Sequence, residues 1–99
     1  MPHVLEFNRP VSEERLRDLA LALDLEGSRG STAEAAEALV VRLRELLPEL
    51  SMPSTLGALG MTRDLIPLLA KKAMEDACHQ LNPRPCTESD MVALYEKAL

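Results

Sequence analysis

The sequence predicts an all-α fold, a bundle of four main helices with one or two short ones. Three observations carry that expectation. Apolar residues recur at helical spacing in four separate stretches. Each stretch is preceded by a capping side chain or a proline suited to a helix start. Nowhere do apolar and polar residues alternate as they do along a strand, and no internal repeat is present.

Met1–Asn8 is short and mixed in periodicity, and it fits either a helix end or an extended arm. Arg9-Pro10 is expected to break whatever precedes it, because proline lacks an amide donor and disfavours helical geometry in the residue before it. Ser12 then offers an N-cap, and Glu13 and Glu14 put negative charge in the first turn, where the helix dipole favours it. Leu16, Leu19, Ala20 and Leu23 give this first main helix its apolar face. Gly27-Ser28-Arg29-Gly30 is a loop. The spacing of its glycines is found in phosphate-binding loops, yet no Gly-Lys-Ser/Thr follows and no strand precedes it.

Ser31 and Glu34 form a capping box, and Ala36, Leu39, Val40, Leu43 and Leu47 trace the second stripe. Pro48 ends that helix or kinks its last turn. Residues 51–60 read as a linker in which Ser54-Thr55 opens one short turn closed at Gly60. Thr62-Arg63-Asp64 begins another turn, and Pro67 suits the first position of a longer helix. Ile66, Leu69, Ala70, Ala73, Met74, Ala77 and Leu81 run as one uninterrupted stripe, with Cys78 at its edge and His79 on the opposite face. Asn82-Pro83-Arg84-Pro85 makes a stiff corner. Thr87, with Asp90 three residues on, caps the last helix, which turns Met91, Leu94, Tyr95 and Ala98 inward.

Ninety-nine residues suit a single all-α domain, with 1–10 as an N-terminal arm that reads as the end of a truncated helix and 12–99 as the bundle. A net charge of −5, dispersed Lys and Arg, and only one Tyr and one Phe argue against a nucleic-acid surface. No apolar run reaches the roughly 18 residues of a membrane span, and no signal pattern opens the chain, so the expectation is a soluble cytoplasmic protein. Cys78 and Cys86 are too few for a disulfide framework; their spacing permits a bridge, and free thiols are the expected state.

The candidate ligands and nucleophiles are His3, Cys78, His79, Cys86 and the carboxylates. Cys78 and His79 are neighbours on a helix, so their side chains diverge by about 100° and cannot readily share an ion. No His-x₃-His or Cys-x₂-Cys spacing occurs. A nucleophilic Cys78 would need a base, and His79 points to the other face while His3 is remote in sequence. By residue chemistry alone the expectation is no metal site, no catalytic group, and Cys78 as a small apolar side chain in a helix stripe.

One resemblance goes further. Asp76-Ala77-Cys78, Asn82-Pro83-Arg84-Pro85, Thr87-Glu88-Ser89-Asp90 and Ala93-Leu94-Tyr95 together resemble the C-terminal signature of the iron-containing (group III) alcohol dehydrogenases. Pro2-His3-Val4 with Phe7-Asn8 is similar to the segment after that family's last metal ligand. Met52-Pro53-Ser54-Thr55-Leu56 with Leu59-Gly60 resembles its I-P-x-x-L-x-x-L-G connection, and Asp64-Leu65-Ile66-Pro67 the helix start that follows. The likeness covers essentially the whole chain.

The resemblance implies the C-terminal part of a dehydroquinate-synthase-like, iron-alcohol-dehydrogenase helical domain. It also implies a parent enzyme that interconverts alcohols and carbonyl compounds with NAD(P) and Fe²⁺ or Zn²⁺. The family's ligands, one Asp and three His, would lie upstream of Met1, and its glycine-rich nucleotide segment is missing, so no metal, catalytic or cofactor-binding residue carries over. Cys78 alone carries over, as a wall of the substrate pocket. The chain by itself is then expected to be silent in catalysis. Surfaces left open by truncation lead to an expectation of self-association. The alternatives are a stand-alone helical interaction module derived from that family and a carrier protein; the carrier lacks an Asp-Ser-Leu-type attachment serine at a helix start.

Overall fold

The structure, a computed structural model, describes residues 1–99 and is all-helical: α1 (Pro2–Ala22), α2 (Thr32–Glu49), α3 (Ile66–Glu75) and α4 (Glu88–Ala98). Three short 3₁₀ turns, Gly57–Leu59, Arg63–Leu65 and Ala77–Leu81, join them. Four main helices are as the sequence leads one to expect. The chain forms two compact units, residues 1–52 and residues 53–99.

In the first unit α1 and α2 lie antiparallel. Leu16 and Ala20 of α1 are buried against Ala35, Ala36 and Leu39 of α2, with Leu5, Leu25 and Leu43 packed at the margin. Three alanines in so small a core let the two backbones approach closely. Ion pairs staple the flanks: Arg44 Nη2 reaches Glu6 at 2.8 Å, and Arg9 pairs with Glu37 and donates to the Ala33 carbonyl at 3.1 Å.

Two expectations for this unit fail. Arg9-Pro10 does not break the chain; α1 runs unbroken from Pro2, with Pro10 inside it, so the stretch before Arg9 is helix, one of the two forms expected of it, and Ser12 is not an N-cap. Packing on both sides of the proline, by Leu5 and by Leu16 and Ala20, outweighs one lost backbone hydrogen bond at an exposed position. The apolar face is also narrower than its spacing suggested. Leu16 and Ala20 are buried, whereas Leu19 and Leu23 are more than half exposed.

Both helices of this unit end the same way. The residue after the C-cap, Asp24 or Ser51, is left-handed (φ 48° and 55°). Beyond it, Leu25 N–H bonds Ala20 O at 3.1 Å and Met52 N–H bonds Leu47 O at 2.9 Å. This is the 6→1 closure of a Schellman motif, made without the usual glycine. Pro48 lies within α2, one residue before its end. The Ser31–Glu34 capping box at its start is present in both directions.

In the second unit α3 packs against α4. Ile66 and Ala70 are buried, while Leu69, Ala73 and Met74 face inward with Met91, Leu94, Tyr95 and Ala98 half-buried. Leu56 N–H donates to Ala98 O at 2.7 Å and so ties the end of α4 to the start of the unit. Gly57 is needed there, since a Cβ would stand 2.9 Å from the Leu99 carbonyl oxygen. Thr55 Oγ1 accepts from Ala58 N–H at 3.2 Å, and left-handed Gly60 closes the turn. Thr87 and Asp90 complete the second capping box, as the sequence indicated.

The uninterrupted stripe from Ile66 to Leu81 is also corrected. α3 stops at Glu75, Asp76 turns extended (ψ 128°), and residues 77–81 form a 3₁₀ turn in which Ala77, Cys78 and Leu81 are exposed. The cause is local. Asp76 Oδ1 accepts the Cys78 amide at 2.8 Å, which offers the backbone an alternative to the helix.

Candidate functional site

Cys78 stands on that turn, its amide held by the Asp76 carboxylate. His79 Nδ1 hydrogen-bonds the Asp76 carbonyl at 2.5 Å, so the imidazole folds back along its own turn. The Cys78 amide, with lesser help from His79, holds the Asp76 carboxyl below the ordinary carboxylate range. The hydrogen bond of the thiol to that carboxylate, and next its negative charge, push the Cys78 thiol up from its ordinary value. A raised thiol is the reverse of an activated nucleophile. Cys78 is therefore neither the buried apolar side chain expected from the stripe nor a thiolate. It is an exposed, protonated thiol on a turn.

Cys86, beyond the proline corner, is also a free thiol raised from its ordinary value, chiefly by burial and next by Asp90. Within the corner, Asn82 Nδ2 donates to the Arg84 carbonyl at 2.7 Å and braces the turn between the two prolines. His3 lies half-buried on α1, in the other unit. No three His, Cys, Asp or Glu side chains converge in a way that could hold a metal ion. The donor set present does not fit a divalent cation, which needs three or four protein ligands around one point.

Two open grooves mark the first unit. One, of about 580 Å³, runs beside Pro10, Glu13 and Thr32. The other, of about 450 Å³, is lined by Ala33, Ala38 and Val41 together with Glu26, Glu34 and Glu37. In the second, Arg9 pairs with Glu13 and Glu37, and Glu34 closes its own cap. No helix is long and apolar enough to cross a membrane.

The feature that sequence reasoning missed is the Asp76 cap. Its signal was an Asp with a free amide two residues on, a pairing that the strong apolar stripe concealed.

Comparison with known proteins gives one consistent result. The sequence model for the Fe-containing alcohol dehydrogenase family, C-terminal, matches residues 1–99. The chain is 39% identical over 99 residues to the NAD-dependent methanol dehydrogenase of Bacillus methanolicus, covering all of this chain and 26% of that protein. It is 34% identical over 98 residues to the lactaldehyde reductase of Escherichia coli K12, covering 99% of this chain and 26% of the relative. A solved structure of 1,3-propanediol oxidoreductase superposes with a TM-score of 0.92 at 28% identity, over 99% of this chain and 26% of that one. The chain thus spans about a quarter of the length of the curated relatives it matches.

Proposed function

Since the chain belongs to the Fe-containing alcohol dehydrogenase family along its whole length, we propose that it serves as the C-terminal helical part of an alcohol/aldehyde oxidoreductase working with NAD(P) and a divalent metal. The match of the C-terminal family model to all 99 residues carries this reading. Relatives named as a methanol dehydrogenase and a lactaldehyde reductase support the oxidoreductase class.

Within such an enzyme these residues supply scaffold rather than chemistry. Their His, Cys, Asp and Glu side chains do not converge on one metal position. Cys78, exposed and protonated at the end of α3, contributes a small, weakly polar wall to the substrate side of the cleft. The proline corner and the Thr87 cap fix the direction in which the chain leaves that wall. The chain alone with Fe(II) or Zn(II), NAD or NADP, and short alcohols is expected to give no cofactor reduction and no stoichiometric metal binding by calorimetry. Turnover by the isolated chain would overturn the proposal.

A second reading, a helical module that self-associates, is favoured by exposed apolar side chains: Val11, Leu19 and Leu23 in the first unit, Leu59, Leu68 and Leu81 in the second. It predicts a dimer by light scattering at high concentration. A clean monomer there would dismiss it.

A further inference from the structure

We propose that residues 76–81 form a two-state element: a 3₁₀ turn held off the end of α3 by Asp76, and alternatively an α-helical extension of α3 through Leu81. The sequence carries a helical register across the break. Ala77 falls seven residues after Ala70, and Leu81 follows Ala77 by four and Met74 by seven, so Ala77 and Leu81 continue the inward face of α3. The structure leaves that register unused, with Leu81 at 87% exposure and Ala77 exposed beside it.

A 3₁₀ run of five residues exceeds the usual three or four, and such a stretch at a helix end marks a place where two geometries compete. Two side chains hold the broken state: His79 Nδ1 bonds the Asp76 carbonyl, and Asp76 itself caps the turn. The Asp76 carboxylate takes the Cys78 amide, which in a continued helix would go to the Met74 carbonyl. The far boundary is fixed in both states. Asn82 precedes Pro83 and is extended (ψ 136°), and a second proline follows at Pro85, so the extension is taken to end at Leu81.

In the extended state Leu81 returns to the apolar face and Cys78 rotates with the helix. The element therefore couples burial of Leu81 to the direction of the Cys78 thiol. The Cys78 wall assigned above would use this coupling, whereas the two states themselves depend only on residues 70–83.

The test is Asp76→Ala and Asp76→Glu in the full chain, read by Cα chemical shifts and amide exchange. Asp76 is exposed, so neither change disturbs the core. Alanine removes the cap acceptor, and glutamate is a better helix former whose longer chain caps poorly. Both are expected to move the shifts of residues 77–81 to helical values and to slow Cys78 amide exchange about tenfold, as a turn opening is replaced by helix fraying. Adding Leu81→Ser to either variant is expected to reverse at least half of that shift. Shifts that stay at wild-type values or move toward coil in both variants would overturn the element. An extension indifferent to Leu81→Ser would overturn the coupling to its burial.

Discussion

Ser51 holds a left-handed backbone at the end of α2, a conformation that costs a residue bearing a Cβ about 1 kcal/mol relative to glycine. Its side chain is exposed, so Ser51→Gly is expected to stabilise the chain by about that amount in urea unfolding; a loss of stability would contradict the assignment. The carboxylates tell a parallel story. Glu34 is lowered mainly by the Ser31 hydroxyl, Glu49 by Arg42, Asp76 by the Cys78 amide, and Asp90 by the Thr87 hydroxyl. A carboxyl depressed in the folded state gives stability that is complete above its unfolded pKa and is lost as pH falls through the folded one. The melting temperature is therefore expected to hold down to about pH 5 and to fall below about pH 4. A melting temperature constant or rising through that acid range would contradict the assigned caps. The two capping boxes were legible because a cap is decided within four residues of sequence. The left-handed ends at Asp24 and Ser51 were not, since serine and aspartate only rarely take the place of glycine there.

Pro10 shows at the level of an element how packing overrides local preference. Residues on both sides of it, Leu5 and Leu16, belong to the interface with α2, so α1 stays helical through a residue that disfavours helix. The proline itself is exposed and contributes nothing to the core. Pro10→Ala is expected to raise stability by roughly 1–3 kcal/mol, seen as a higher melting temperature with the same helical content. A lower melting temperature would mean that the proline fixes the path of α1. The α3 stripe erred in the opposite direction. There the periodicity was real, but a single Asp side chain within two residues of a free amide ended the helix. Tertiary contact rescued one helix from a breaker, and exposure left the other to its local cap.

For the whole molecule, the all-α architecture and the family were legible because apolar periodicity and the Asn82–Tyr95 signature survive in the sequence itself. The state of Cys78 was not, since it depends on where α3 ends. These 99 residues bring two helical units and one exposed thiol to a family whose matched relatives are about four times as long. The most direct measurement replaces the matching C-terminal 26% of the Bacillus methanolicus methanol dehydrogenase with residues 1–99 and follows methanol-dependent NAD reduction in the presence of its metal. The prediction is turnover by the folded chimaera and none by the isolated chain. A folded, metal-loaded chimaera without turnover, or activity in the isolated chain, would contradict it.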